Sequence, residues 1–319
     1  MNDLSPFAVT GARALDPAKF RDPLVTARGE VRAEVAMTAL TTLWVNTGTL
    51  CNLACRTCYI ESSPRNDALV YISLAEAETF LDEALALGTR EIGFTGGEPF
   101  MNPDMIGMIG AALARGFEVL VLTNAMRPMR RFEQQLLVLR AAGGDRLMMR
   151  VSLDHYSPPV HEAERGAGTW DKAIAGCRWL SEHGFRLAVA GRQLPGESDA
   201  EARRGYAELF AAEGLKVDAG DPAALVLFPE MDATADVPEI TEACWTILGK
   251  SPSSIMCASS RMVVKRRGEP RPVVAACTLI PYDPGFTMGE TLAEASRPVR
   301  LNHPHCARFC VLGGASCSA

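Results

Sequence analysis

Six short apolar runs recur along the chain, at residues 43–46, 91–95, 117–123, 147–154, 185–192 and 223–228, each separated from the next by a stretch of helical character. The runs are rich in Val, Ile, Leu and Phe and do not alternate strictly with polar residues, as expected of strands covered on both faces. The intervening helices have readable ends. Ser73 and Glu76 form a capping box ahead of an apolar stripe of Leu74, Ala77, Leu81, Ala84 and Leu85, and Gly88 follows the stripe. Asn102-Pro103 reads as the N-cap and first residue of a helix ending near Gly116. Residues 170–183 form a helix before Gly184, and Ser198 with Glu201 opens another capping box. Repeated strand–helix–strand units demand right-handed parallel crossovers. The result is a doubly wound sheet or a curved, incomplete barrel, with its chemistry at the C-terminal ends of the strands.

The 319 residues suffice for one large α/β domain and a small second one. A net charge of -6 gives no electrostatic reason to expect a nucleic-acid partner. No apolar run approaches the length of a membrane span. The opening MNDLSPFAVTGARALDPAKF lacks an apolar signal core, so a cytoplasmic protein is expected. In that reducing compartment, ten cysteines point to metal rather than to disulfides.

The cysteines are clustered. Cys51, Cys55 and Cys58 fall within CNLACRTCYI, and Cys257, Cys277, Cys306, Cys310 and Cys317 lie toward the end of the chain. Cys177, among Ala173, Ile174 and Leu180, reads as core, and Cys244 as packing beside Trp245. Thiolates bind zinc or iron–sulfur clusters. A structural zinc site takes four protein ligands, whereas three cysteines on one tight loop suit a four-iron cluster with one iron open to a small molecule. The second group lies in a segment of different character. RMVVKRRGEPRPVVAAC reads as a hairpin turning near Gly268 between Cys257 and Cys277, and HPHCARFCVLGGASC is short and cysteine-rich. Such a module is too small for a good core of its own and calls for metal. For it, structural zinc is the alternative to iron and sulfide.

Cys51-x3-Cys55-x2-Cys58, followed by Tyr59, resembles the signature of the radical S-adenosylmethionine superfamily. Gly96-Gly97-Glu98-Pro99, in GFTGGEPFMNPD, resembles that family's second motif. The likeness covers roughly residues 40–230. It implies an incomplete (βα)6 TIM-like barrel over residues 41–235, preceded by an extension over 1–40. Residues 236–319 resemble a twitch or SPASM domain carrying an auxiliary four-iron cluster on four of Cys257, Cys277, Cys306, Cys310 and Cys317. By the same resemblance Cys51, Cys55 and Cys58 would each bind one iron, and the fourth iron would chelate S-adenosylmethionine through its amino and carboxylate groups. Gly96, Gly97 and Glu98 would lie against the methionyl ammonium, and Tyr59 beside the adenine. Thr123 and Asn124 would face the cofactor, and Ser152 and Asp154 the ribose or substrate. Arg165 would pair with the cofactor carboxylate, and Arg192 is a further candidate.

The implied chemistry is one-electron cleavage to methionine and a 5′-deoxyadenosyl radical, which takes hydrogen from a substrate carbon. The electron would come from a flavodoxin- or ferredoxin-type partner. The expected substrate is a small molecule that is oxidised or rearranged, with a ribosomal peptide to be crosslinked or oxidised as the alternative. The 50 residues before Cys51 are few for an independent leader-recognition domain, which favours the small molecule. A zinc-stabilised binding protein is the reading from outside enzymology, and it leaves Gly96 to Pro99 unexplained. His155 either faces the cavity or sits as a polar strand-end residue. His303 and His305, flanking Cys306, read as polar loop residues or as ligands. Lys265, Arg266 and Arg267 read as a solvated face.

Overall fold

In this computed structural model, residues 5–9, 11–230 and 232–314 are described. Strands β1 (Glu34–Val35) and β11 (Val299–Arg300) pair as a small antiparallel ribbon. The other nine strands form one sheet: β2 (Thr42–Asn46), β3 (Glu91–Thr95), β4 (Glu118–Thr123), β5 (Leu147–Ser152), β6 (Arg186–Arg192), β7 (Leu225–Phe228), β8 (Ser260–Val264), β9 (Val273–Ala275) and β10 (Thr287–Gly289). Its order is β10-β9-β8-β2-β3-β4-β5-β6-β7. The run β2 to β7 is parallel throughout, each strand beside its sequence neighbour. The sheet ends at β7 and β10 without closing, the incomplete (βα)6 barrel that the family resemblance implied.

Helices α1 (Leu74–Ala86), α2 (Met105–Ala114), α3 (Arg127–Arg130), α4 (Glu133–Gly143), α5 (Pro158–Arg165), α6 (Trp170–Glu182) and α7 (Asp199–Glu213) lie between the barrel strands, and α8 (Ala243–Leu248) follows them. Both expected capping boxes form, at Ser73–Glu76 and at Ser198–Glu201. Asn102 behaves differently from expectation. Helix α2 starts at Met105, while the buried Asn102 amide donates to Thr47 O at 3.0 Å and Ile72 O at 2.9 Å. Two main-chain acceptors deep in the fold outweigh a local cap, because leaving them unpaired is costly.

The stretch after residue 235 adds to the same sheet. β8 pairs in parallel with β2, and β9 returns antiparallel on β8 as the expected hairpin. The basic run on this hairpin binds it to the barrel. Lys265 pairs with Glu76 at 2.5 Å, Arg267 with Asp67, and Arg266 donates to Pro281 O. The N-terminal extension is stitched to residues 234–242: Leu15 N donates to Thr234 O, and the buried Arg32 pairs with Glu239 at 2.6 Å. Cys177 is fully buried core, as its helix face suggested. The Cys244 thiol lies 3.4 Å from Thr241. Among the described residues no helix is long and apolar enough to cross a membrane.

The β2–β3 pair packs tightly. Trp44 lies opposite Gly93 in register, and a Cβ at Gly93 would fall 2.5 Å from the indole ring. Gly93→Ala is therefore expected to cost about 1–3 kcal/mol by overpacking. In a Trp44→Leu background the same substitution should cost much less, and a double-mutant cycle by urea denaturation reads that coupling. Additive costs would show that the ring does not set the limit.

Candidate active site

The loop after β2 carries the first three cysteines, and it is held from two sides. On one side lies the Gly96–Gly97 turn at the end of β3. Gly97 N donates to Gly48 O at 2.7 Å, and Glu98 N to Leu50 O at 3.1 Å. A Cβ on Gly97 would stand 2.3 Å from Leu50 O, and one on Gly96 2.6 Å from Gly48 O. Gly96 also has a φ of +156°, outside the usual range of a residue with a side chain. These glycines are thus required by backbone meeting backbone, before any cofactor is considered.

On the other side stands Glu164, at the end of α5. Its carboxylate accepts from Thr57 N and Thr57 Oγ1, both at 2.8 Å, and from Ser5 Oγ at 2.7 Å. Arg56 N donates to the Glu164 carbonyl at 3.0 Å. Arg192 closes the group. It donates to Thr57 Oγ1 at 2.7 Å, pairs with Glu230 and Glu164, and lies over the Phe7 ring at 4.1 Å.

The loop leaves Cys51, Cys55 and Cys58 on one cavity of about 190 Å³. Tyr59, Gly96, Gly97, Thr123, Asn124, Ser152, Asp154 and Arg165 line the same cavity, as does Arg192. Asp154 and Arg165 face each other in a fork, with bonds of 2.6 and 3.1 Å. Against the cost of burial, this guanidinium holds the Asp154 carboxyl below its usual range. Asn124 donates to Asn52 Oδ1 at 2.9 Å, tying the end of β4 to the cysteine loop.

Glu98 stands apart from the cavity lining. Its buried carboxylate turns inward and accepts from Thr123 Oγ1 and Asn124 N, both at 2.8 Å, and from Phe100 N. It aligns two cavity residues. His155 is likewise absent from the lining: it is buried, stacked on Tyr156 and 3.7 Å from Glu197.

The thiols suit a metal better than nucleophilic work. Burial pushes Cys51 up to about 12 and Cys55 up to about 11, so neither is a ready thiolate by itself. Two of the three sulfurs already receive backbone donors: Leu53 N on Cys51 at 3.4 Å, and Ser62 N on Cys58 at 3.3 Å. A bound cation reverses the burial penalty and keeps such thiols ionised.

A second pocket, apolar and much smaller, is lined by Cys257, Cys277, Cys306 and Cys310. Cys257 sits on the turn Met256–Ala258 before β8, Cys277 follows β9, and Cys306 and Cys310 share the π-helical segment Cys306–Leu312. Cys317 lies outside the described residues. Among those residues, no three His, Cys, Asp or Glu side chains are drawn as closely as a single metal ion needs. The two pockets share a wall. Leu279 lines both, and Phe309, between Cys306 and Cys310, reaches the first cavity and stacks on Phe228 at 5.6 Å.

Glu164, Asn52, Leu279 and Phe309 escaped the sequence reading. Glu164 had the one available signal, an acid directly before the singled-out Arg165. The others gain their roles from segments distant in the chain.

The chain matches the Radical SAM superfamily over residues 45–206, half of its length, and it belongs to that family. It is therefore an iron–sulfur enzyme that uses S-adenosylmethionine. It is 31% identical over 141 residues to the antilisterial bacteriocin subtilosin biosynthesis protein AlbA of Bacillus subtilis, covering 44% of this chain and 30% of AlbA. It is 32% identical over 145 residues to GTP 3',8-cyclase 1 of Mycobacterium tuberculosis, covering 42% of this chain and 38% of the cyclase. The matched segments thus span about a third of these relatives. In fold it is similar to Streptococcus suis SuiB bound to precursor peptide SuiA, with a TM-score of 0.56 at 12% identity, over 76% of this chain and 61% of SuiB.

Burial raises the Glu98 carboxyl from 4.5 to about 7, against the donors on it. The folded state therefore holds a proton that the unfolded chain releases near 4.5, and stability falls as pH rises through that window. Glu98→Gln should remove up to about 3 kcal/mol of that fall. Urea denaturation of metal-free protein at pH 5 and pH 8 reads it, and equal falls in both proteins would refute the assignment.

Proposed function

We propose that the enzyme cleaves S-adenosylmethionine reductively and removes a hydrogen atom from a carbon of a peptide side chain. In this reading a second four-iron cluster sits on Cys257, Cys277, Cys306 and Cys310. The observation that carries it is the convergence of the three-cysteine loop and the Gly96–Gly97 turn on one cavity, whose far wall belongs to the four-cysteine pocket.

When bound, the cluster and its cofactor supply one-electron chemistry at carbon. The chain's own residues do the rest. Cys51, Cys55 and Cys58 would hold the cluster. The backbone at Gly96 and Gly97 would receive the methionyl end of the cofactor, and Arg165, oriented by Asp154, would meet its carboxylate. Tyr59 would cover the adenine, and Thr123, Asn124 and Ser152 would offer polar contacts. Phe228, Pro229, Leu279 and Phe309 make the substrate end apolar and exclude water. A flavodoxin- or ferredoxin-type protein delivers the electron.

Charge argues for the substrate class. The two arginines lining the cavity are both paired with carboxylates, Arg165 with Asp154 and Arg192 with Glu230 and Glu164. With Arg165 given to the cofactor carboxylate and Arg192 held by Glu230 and Glu164, a polyphosphate would find no further cation among the described cavity residues. A peptide side chain needs none. The naming of AlbA for bacteriocin biosynthesis and the peptide bound to SuiB point the same way. The likeness to a GTP cyclase favours a small molecule as the second reading.

Anaerobic iron and sulfide analysis with EPR tests the assignment. About eight irons are expected in the wild type and about four in a Cys51/Cys55/Cys58→Ala variant, with S-adenosylmethionine altering the spectrum of the wild type alone. About four irons that vanish in the variant would remove the second cluster. Zinc without iron, in protein made with ample iron, would sink the reading.

A further inference from the structure

The four-cysteine pocket has an unusual neighbour. Arg261, on β8, is 1% exposed, yet among the described residues it has no carboxylate within ion-pairing distance. Its guanidinium is committed to carbonyls: Nη1 donates to Cys257 O at 2.6 Å and Ser260 O at 2.7 Å, Nε to Ala295 O at 2.8 Å, and Nη2 to Arg297 O at 3.0 Å. These bonds take four of its five N–H donors and leave its charge unmatched. An arginine does not shed its proton to escape such a site, and a buried charge without a counter-charge is strongly destabilising.

The place for a counter-charge lies next door. The carbonyl that takes the 2.6 Å bond belongs to Cys257, one of the four cysteines that line the pocket. A second observation points into the same pocket. His305 lines it, is 6% exposed, and has a buried Nδ1 without a hydrogen-bond partner among the described residues. The ring is held against His303 at 4.7 Å, and the His305 main-chain N–H donates to His303 Nδ1 at 3.1 Å. An unsatisfied buried nitrogen beside four thiols lacks an acceptor that a cluster sulfur would supply.

We propose that Arg261 is the built-in counter-charge of the C-terminal cluster, with His305 donating Nδ1–H to a cluster sulfur, so that together they favour its reduced state. The proposal rests on the four-cysteine cluster assigned above. A four-iron core on four thiolates is an anion, and one-electron reduction makes it more negative. A fixed cation and an N–H donor at a small apolar pocket stabilise the reduced form more than the oxidised one, which raises the reduction potential. Both residues act through the cluster, as positioning and tuning residues. They would make this site the better electron acceptor of the two, a short distance behind Leu279 and Phe309 from the substrate end.

The test is an EPR-monitored redox titration, poised with dithionite, in the Cys51/Cys55/Cys58→Ala protein, where only the C-terminal cluster remains. Arg261→Met and His305→Phe should each shift the midpoint to more negative potential with about four irons retained. Arg261→Lys, which keeps the charge, should recover most of the first shift, a rescue that loss of packing would not produce. An unchanged midpoint in iron-replete Arg261→Met overturns the proposal. Should that variant fail to fold, an unchanged midpoint in His305→Phe overturns it. A background protein that holds no iron overturns the cluster reading and the proposal with it, and is told apart by the metal count alone.

Discussion

Everything at the active end of the barrel depends on two backbones in contact. The Gly96–Glu98 turn lies against residues 47–50 so closely that one methyl group on Gly97 would strike Leu50 O at 2.3 Å. Cys51 follows directly, so the turn sets where the three-cysteine loop leaves the sheet. From the same turn Glu98 reaches across to Thr123 and Asn124, and Asn124 reaches back to Asn52 inside the loop. Strands β2, β3 and β4 are thereby linked at their C-terminal ends by a closed circuit of hydrogen bonds. Glu164 completes the clamp from α5. Buried, multiply bonded carboxylates of this kind are rigid, because breaking any one contact strands a polar atom away from water.

The two pockets follow opposite electrostatic logic. In the larger, each lining arginine already has a carboxylate, so the cavity is polar along one side but close to neutral. It can take a zwitterionic cofactor without a large change in local charge. In the smaller, the lining is apolar apart from His305 and the thiols, and the nearby guanidinium lacks a carboxylate among the described residues. Such a site is poised for negative charge to arrive. Leu279 lines both pockets. The π-helical segment that carries Cys306 and Cys310 also places Phe309 on the lining of the larger cavity, so one short segment contributes to both pockets. π-Helical segments are rare and concentrate at functional sites.

Local features were legible from the sequence where a few neighbouring residues decide them. Both capping boxes are contacts across three residues, the cysteine spacing concerns one loop, and the strand runs announce themselves by composition. Asn102 shows where this fails. Its cap pattern is a sound local signal, but its amide is taken by carbonyls at Thr47 and Ile72, positions that only folding brings near. Glu98 carries a family motif, yet its carboxylate serves Thr123 and Asn124 and not the cavity. The place of β8 beside β2 was likewise hidden, since parallel pairing between distant segments leaves no mark in either one.

The sequence by itself determined the strand–helix alternation, the kinds of ligand present and the family, because these rest on residue type and short spacing. Only the tertiary structure decided which cysteines share a pocket, that Leu279 and Phe309 stand between the two sites, and that Arg261 is buried without an acid. Those facts depend on which surfaces the chain removes from water together. A buried charge or thiol takes its chemistry from neighbours tens to hundreds of residues away, and no local pattern records them.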